Sequence, residues 1–260
     1  MLVKFQKYQG TGNDFILIDN RTYGLKRERA IIEKLCHRKF GIGADGLIFL
    51  QVKNGYDFEM VYFNSDGNES SMCGNGGRCI IRFAQAHGII SSHTNFFAID
   101  GEHEGEILAD GNVSLKMKNV DVIRVLDNYS VVMNTGSPHF VKFADEIEKI
   151  NVVEEGRMIR NTREFKEEGI NVNFVEKKND SEIFVRTYER GVEDETLSCG
   201  TGVVASSLAT AFFALMPVHE VAVETPGGKL KVKFDKVSFG FENIFLIGAA
   251  EKVFEGEIEY

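Results

Sequence analysis

An internal repeat constrains the fold more than any other feature of this sequence. The segment GTGNDF near the start of the chain recurs as NTGSPHF about 125 residues later, which is close to half the chain length. Further landmarks keep this spacing within two residues: Gly43 with Gly169, Gly67 with Gly191, Cys73 with Cys199, and Gly101 with Gly227. A chance pairing of glycine-rich turns would scatter the offsets, so the sequence predicts two similar lobes from an internal duplication.

Each half combines strand patterns with a buried helix. Short segments such as FILID, NVSLKM and KLKVKF predict strands, and a helix is predicted after each cysteine-glycine motif. The second of these helices is apolar on almost every side over residues 203–215 and is predicted to stop before Pro217. A further helix is expected over residues 26–39. We therefore predict an α+β fold in which a curved, mostly antiparallel sheet surrounds a central helix in each lobe.

The boundary between the lobes is expected near residues 119–127. This divides the chain into an N-terminal lobe, residues 1–119, and a C-terminal lobe, residues 120–248.

Composition and charge exclude several classes of function. The formal net charge of −9 is opposite to that of a phosphate-backbone binder, so we expect no nucleic-acid partner. The opening MLVKFQKYQ lacks the apolar core of a signal peptide, and the apolar run over residues 203–218 is shorter than a membrane span. We therefore expect a cytoplasmic protein without a membrane partner, whose four cysteines are reduced thiols.

Cys73 and Cys199 are the most informative residues, because each precedes a predicted helix in a glycine-flanked turn. A helix N-terminus offers unsatisfied N–H donors and the positive end of the helix dipole. Both lower the pKa of a thiol and create a site for an anion such as a carboxylate. Cys36 and Cys79 lie inside predicted helices, where a lone cysteine is expected to be a small core residue.

Two such thiols suit the inversion of a stereocentre. If the lobes face each other, one thiolate removes a proton from carbon while the opposing thiol returns a proton to the other face. Helix ends aimed at an adjacent carboxylate would stabilise the charge that develops on deprotonation. This design predicts a two-base racemase or epimerase that needs no electron-sink cofactor.

The motifs NSDGNESSMCGNGGRC and CGTG resemble those of the diaminopimelate epimerase family. The segments FQKYQGTGNDF, GIGADGL, TGSPH, INVNF and YERG also resemble this family, in the same order over essentially the whole chain. The resemblance implies cofactor-independent epimerisation of L,L-diaminopimelate to meso-diaminopimelate, a step toward lysine and peptidoglycan precursors. It implies that residues 249–260 form a strand that returns to the first lobe, and it suggests a homodimer.

The resemblance also assigns roles to individual residues. Cys73 and Cys199 correspond to the catalytic acid/base pair, and His139 and Glu189 to positions that tune the thiols. The positions that correspond to substrate-binding residues are Asn13, Asn64, Gly74, Asn75, Asn171, Glu189, Arg190, Gly200 and Thr201. Arg190 suits a distal carboxylate through two charge-assisted hydrogen bonds, and Glu189 suits an ammonium group.

The sequence departs from the common family pattern near the distal end of the expected substrate. Ser137 stands where Asn is usual, Gly46 stands where Gln is found, and Asn68 stands where Ser is frequent. The turn VEDET is one residue longer than usual, and residues 193–195 within it are expected to form a solvated loop. These departures leave open how the distal end is recognised.

Two alternatives to this function stay open. One is a two-thiol racemase for another amino acid, such as proline; the other is a non-catalytic small-molecule binding module. A thiol redox protein is disfavoured because no C-x-x-C motif is present, and no ligand pairs with zinc spacing are seen, so we expect no metal site. The segment Gly41 to Gly46 matches G-x-G-x-x-G, but it follows a helix and precedes a strand, the reverse of a dinucleotide fingerprint.

Overall fold

The computed structural model describes residues 1–213, 215 and 218–260. Contacts divide the chain into two compact units: Met1–Leu115 with Gly248–Tyr260 form unit 1, and Lys116–Ile247 form unit 2. Among the described residues, no helix is long and apolar enough to cross a membrane.

The first part of the chain alternates strands with two helices. In chain order these elements are β1 (Leu2–Gly10), β2 (Asn13–Asp19), α1 (Arg29–Cys36), β3 (Gly46–Gln51), β4 (Phe58–Asn64), β5 (Glu69–Ser70), α2 (Gly74–Ala86), β6 (His93–Ala98), β7 (Gly101–Ile107) and β8 (Val113–Lys116).

The second part repeats this arrangement. Its elements are β9 (Ile123–Asp127), β10 (Ser130–Asn134), β11 (Pro138–Phe143), a 3₁₀ turn (Ile147–Lys149), α3 (Val152–Arg160), β12 (Asn171–Lys177), β13 (Glu182–Glu189), β14 (Asp194–Thr196), α4 (Gly200–Phe212), β15 (Glu220–Thr225), β16 (Gly228–Lys236) and β17 (Phe241–Gly248). The last strand, β18 (Glu251–Glu259), pairs antiparallel with β1 and so belongs to unit 1.

The strands of the two units pair in the same order and in the same directions. In unit 1, β1–β2, β3–β4 and β6–β7 are antiparallel, while β2–β3 and β4–β6 are parallel. In unit 2, β10–β11, β12–β13 and β15–β16 are antiparallel, while β11–β12 and β13–β15 are parallel. This identity of topology confirms the predicted α+β duplication with mostly antiparallel sheets.

One buried helix packs against the strands of each sheet. Helix α2 contacts β1, β2, β3, β4 and β7, and helix α4 contacts β10 to β13, β15 and β16. Helix α4 is buried on almost every side, and it satisfies its hydroxyl groups internally: Ser206, Ser207 and Thr210 each donate to the carbonyl four residues earlier. It ends at Phe212, three residues before the predicted end, while Pro217 lies outside the described residues.

A shorter helix covers the opposite face of each sheet. Helix α1 is shorter than the predicted helix over residues 26–39. Its Ile32, Leu35 and Cys36 are part of a hydrophobic core that includes strand residues such as Phe49. Helix α3 was not predicted, because its sequence VVEEGRMIR is polar and contains Gly156. Its Val152 packs with Val172, Phe174 and Tyr188 of the sheet, so it occupies in unit 2 the place that α1 occupies in unit 1.

The close approach of α3 to the sheet generates a stability prediction. A Cβ atom added at Gly156 would lie 2.4 Å from Tyr188 Cβ and 2.5 Å from Tyr188 Cγ. We expect Gly156→Ala to lower the free energy of unfolding by about 1–2 kcal/mol, because the overlap outweighs the gain in helix propensity. The control Met158→Ala, at an exposed position of the same helix, should change it by less than about 0.5 kcal/mol. Urea unfolding measures both; a Gly156→Ala variant as stable as the parent would contradict the packing described.

Candidate active site

Cys73 is the residue immediately before α2. Its backbone is extended, with φ −90° and ψ 131°, and its carbonyl accepts the first hydrogen bond of the helix from the Gly77 N–H at 2.7 Å. The thiol is therefore held beside the first turn of the helix, where the N–H groups of Gly74 and Asn75 have no acceptor within the helix itself. Cys73 is half-buried, so a ligand can reach it.

Asn13 is the side chain that faces Cys73 from the hairpin between β1 and β2. Its Nδ2 donates to Asp45 Oδ2 at 2.7 Å, and a carboxylate can only accept, so the amide oxygen is turned the other way. That oxygen lies 3.7 Å from Cys73 Sγ and accepts from Asn75 Nδ2 at 3.3 Å. Asn13 therefore offers the Cys73 thiol a hydrogen-bond acceptor.

Arg78, which was not among the predicted site residues, lies fully buried beneath the same turn of α2. Its Nη2 donates to Asn75 Oδ1 at 3.1 Å and to Thr11 Oγ1 at 3.3 Å, and its Nη1 donates to the Gly74 carbonyl at 3.3 Å. Burial lowers the pKa of Arg78, and attraction to thiolates at Cys79 and Cys73 opposes that shift. The guanidinium thus fixes Asn75 and favours the thiolate of Cys73. The signal available in the sequence was the position of Arg78 directly before the apolar residues CII of the predicted helix.

Cys199 occupies the matching position before α4. It is also extended, with φ −111° and ψ 111°, and its carbonyl accepts from the Val203 N–H at 2.9 Å. The residue is 8% exposed, and its Sγ lies 3.5 Å from Thr201 Oγ1. Gly200 and Thr201 form the first turn of α4, so the structure brings three of the predicted residues together here.

His139 joins this group from β11. Its Nε2 lies 2.8 Å from Thr201 Oγ1, and Thr135 Oγ1 donates to the Thr201 carbonyl at 2.8 Å. Burial lowers the pKa of His139 to about 3, and the positive charge of Arg190 acts in the same direction, so the imidazole is neutral at physiological pH. The side chain of Asn173, which was not among the predicted site residues, contacts the other ring nitrogen of His139.

The remaining predicted residues of unit 2 lie at the start of β12 and the end of β13. Asn171 is buried; it donates to Ser137 Oγ at 2.7 Å and accepts from the backbone N–H of Arg190 at 2.9 Å. The Arg190 side chain is exposed and donates to the Glu168 carbonyl at 3.0 Å. Glu189 accepts from Thr196 Oγ1 at 2.9 Å. Asn171 therefore links Ser137 to the turn that carries Arg190.

Asn64 lies exposed at the end of β4, in register with Gly46 of β3. A Cβ atom at Gly46 would approach both the Phe63 carbonyl oxygen and Tyr62 Cε2 to 2.5 Å. Gly46 is therefore a close-packing position, and the Tyr62 ring occupies the space beside it. Asn68, which also departs from the family pattern, donates to Asp66 on the protein surface.

The long VEDET turn is partly solvent-exposed, as expected, but its second half is a strand and two of its acidic side chains form ion pairs. Glu193 accepts from Tyr188 Oη at 2.9 Å and pairs with Arg160 at 3.2 Å, while Glu195 pairs with Arg186 through two hydrogen bonds of 2.7 Å. Residues 194–196 form β14 along the edge of β13, which brings Glu195 beside the strand that carries Arg186. In the part of the chain that the structure describes, no group of three or more His, Cys, Asp or Glu side chains is arranged to hold a metal ion.

Comparison with known proteins identifies the family. The family model for diaminopimelate epimerase matches residues 5–123 and 131–253, one match for each repeat. The chain belongs to the diaminopimelate epimerase family. A diaminopimelate epimerase of Flavobacterium psychrophilum is 51% identical over 98% of this chain and 100% of its own length, and one of Aquifex aeolicus is 38% identical over 98% of both chains.

Solved structures support the fold of this diaminopimelate epimerase family member. A phenazine biosynthesis protein of the PhzF family from Bacillus anthracis has a TM-score of 0.78 at 16% identity, covering all of both chains. A hydroxyproline epimerase from Agrobacterium vitis has a TM-score of 0.68 at 12% identity, covering 99% of this chain and 92% of that one. At these identities the likeness concerns the fold alone.

The different settings of the four thiols generate a labelling prediction. Burial raises the pKa of both Cys36 and Cys79 to about 12, whereas Cys73 and Cys199 lie at helix starts. At neutral pH we expect iodoacetamide to alkylate Cys73 or Cys199 well before the two core thiols, because the thiolate is the reactive form. Peptide mass spectrometry at increasing times measures the order. Faster modification of Cys36 than of either helix-start thiol would contradict these settings.

Proposed function

We propose that this protein interconverts L,L- and meso-diaminopimelate without a cofactor, with Cys73 and Cys199 as its acid and base. One observation carries the proposal: each of two repeats that match this family places a thiol directly before the first turn of a buried helix. The names of the relatives, diaminopimelate epimerase, supply the substrate. The step belongs to lysine biosynthesis.

The first turns of α2 and α4 would bind the reacting carboxylate. Gly74 and Gly200 carry no side chain, so a carboxylate can approach the N–H groups of these turns closely. Asn75 and Thr201 come next in each turn, and both are fixed by buried partners. Donors fixed in this way stabilise the negative charge that moves onto the carboxylate when the α-carbon loses its proton.

The proton transfers follow from the chemistry of the two thiols. One cysteine, as the thiolate, takes the α-hydrogen as a proton, and the electron pair of the broken C–H bond is delocalised into the carboxylate. The other cysteine, as the thiol, then gives its proton to the opposite face of the same carbon, which inverts the stereocentre. The two sulfurs end the turnover with exchanged protonation states, and exchange with solvent restores the starting state.

Arg190, Glu189 and the asparagines at positions 13, 64 and 171 would also bind the substrate, with Arg190 at its distal end. The exposed guanidinium of Arg190 suits the distal carboxylate, because its planar fork forms paired charge-assisted hydrogen bonds. Asn171 would contribute to substrate recognition partly by positioning Arg190, because its side-chain oxygen accepts a hydrogen bond from the Arg190 backbone N–H. Glu189 supplies a negative charge for an ammonium group.

We place this activity in the cytoplasm. The cytoplasm is a reducing compartment, and the mechanism needs Cys73 and Cys199 as reduced cysteines. A homodimer remains a prediction from the family resemblance.

Replacing either catalytic thiol tests the proposal. We expect Cys73→Ala and Cys199→Ala each to lower the rate of L,L-diaminopimelate epimerisation by at least about 100-fold, because each removes one acid/base group. Chiral chromatography of the product measures the rate. Cys36→Ala is the matched control: it removes a buried thiol in the core of unit 1 and should leave epimerisation nearly unchanged.

Two results would overturn the proposed function. One is substantial diaminopimelate epimerisation by both site variants; the other is racemisation of L-proline, with no turnover of diaminopimelate, by the unmodified protein. Tight binding of diaminopimelate without any epimerisation would favour a binding module instead.

A further inference from the structure

Asn173 lies at the centre of a fully buried group of polar side chains in unit 2. It is in the middle of β12 and is completely inaccessible to solvent. Its Nδ2 lies 3.1 Å from the Phe140 carbonyl oxygen and 3.1 Å from His139 Nδ1, and its Oδ1 accepts from Thr187 Oγ1 at 3.0 Å. Every polar atom of the amide is thus used.

The Phe140 carbonyl fixes which way the amide points. A carbonyl oxygen can only accept, so the NH₂ group of Asn173 must face β11. Its second hydrogen then points at His139 Nδ1, which has to be the accepting nitrogen of the ring. Because the pKa of His139 is lowered to about 3 by burial, the ring is neutral, and its single proton lies on Nε2.

This tautomer sets the direction of the next two contacts. Nε2–H donates to Thr201 Oγ1 at 2.8 Å, so the hydroxyl oxygen of Thr201 acts as an acceptor there. The hydroxyl hydrogen of Thr201 is then available to donate to Cys199 Sγ at 3.5 Å. Donation to the sulfur favours the thiolate over the thiol.

The second glycine of the CGTG motif makes room for this arrangement. A Cβ atom at Gly202 would lie 2.3 Å from Asn173 Oδ1, so no larger residue fits above the amide. The CGTG motif therefore makes room for the Asn173 side chain in addition to forming the first turn of α4.

Unit 1 shows that the fold itself does not require these polar groups. The strand registers place Phe15, Ile48 and Tyr62 where unit 2 has His139, Asn173 and Thr187. Gly76 corresponds to Gly202, and there a Cβ atom would meet Ile48 Cδ1 at 3.1 Å. Burying an amide, an imidazole and a hydroxyl costs free energy that the apolar version avoids, so a role beyond stability is indicated.

We infer that Asn173 is a positioning residue, which holds His139 in the Nε2–H tautomer and thereby directs the Thr201 hydroxyl toward Cys199. The consequence for catalysis rests on the proposed function of Cys199. The tautomer itself does not, because it is a property of the substrate-free protein.

Nitrogen-15 NMR of the substrate-free protein, labelled in its histidine rings, tests the inference. The His139 signals are assigned by their loss in His139→Gln. In the unmodified protein we expect a protonated Nε2 and an unprotonated Nδ1. In Asn173→Asp, a carboxylate offers no donor to Nδ1, so we expect Nδ1 to carry a proton. Thr187→Val is the matched control, because it removes only the contact to Asn173 Oδ1 and should leave the tautomer unchanged.

Alkylation of Cys199 at one fixed neutral pH gives the second readout. We expect the rate to fall about tenfold in Asn173→Asp, as for a thiol pKa raised by one unit, and to stay within about twofold in Thr187→Val. A protonated Nδ1 in the unmodified protein would overturn the inference even if Asn173→Asp fails to fold. An unchanged tautomer in a folded Asn173→Asp variant would overturn it as well. If the unmodified protein shows the expected tautomer but does not epimerise diaminopimelate, the proposed function is contradicted and the inference stays intact.

Discussion

The first turn of the buried helix in each unit is the constraint on which the rest of the site depends. A helix that starts inside a protein presents backbone N–H groups that need hydrogen-bond acceptors. Strands contact α2 and α4 on several sides and limit the access of water to these N–H groups. An extended cysteine directly before each helix places a sulfur beside these donors. The proposed chemistry, which moves charge onto a carboxylate, would use the same donors, so the fold and the proposed reaction would depend on the same few atoms.

The two repeats keep this backbone and differ in the side chains around it. In unit 1 the buried guanidinium of Arg78 holds Asn75 and favours the Cys73 thiolate by charge, while the Asn13 amide oxygen faces the thiol as an acceptor. In unit 2 a neutral His139 holds Thr201, whose hydroxyl faces Cys199. The duplication thus placed a cysteine before a buried helix in both units, and divergence of the surrounding side chains gave the two sulfurs different electrostatic environments. Such a difference suits an enzyme that must handle two stereoisomers.

The elements that the sequence predicted are those marked by glycine turns and by alternating or continuous apolar residues. The repeat, the helices after Cys73 and Cys199, and the α+β class all follow from these local patterns. Helix α3 was not predicted because Gly156 and the surrounding charged residues obscure the apolar periodicity of its sequence. Its correspondence to α1 in the internal repeat could have indicated it. Residues 193–195 are partly solvent-exposed as expected, but they are not simply a loop: the strand β14 and the pairing of Glu195 with Arg186 depend on a strand pairing that no local pattern reveals.

The buried contacts of the site were the least predictable part. His139 meets Thr201 across 62 residues and Asn173 across 34, so only the folded sheet brings them together. The resemblance to a family gave the position of His139 but not the direction of its hydrogen bonds. Likewise, the close packing of Gly46 against Tyr62 follows from the register of β3 and β4 and has no local sequence signature.

The central claim is that two separate groups handle the proton on the two faces of one carbon. The most direct measurement is the isotope content of both pools early in the conversion of L,L-diaminopimelate in deuterium oxide, read by mass spectrometry. Two acid/base groups predict meso product that carries one solvent-derived deuterium, and remaining substrate that carries almost none. Product that retains the original hydrogen, or substrate that gains deuterium as fast as product forms, would contradict the account.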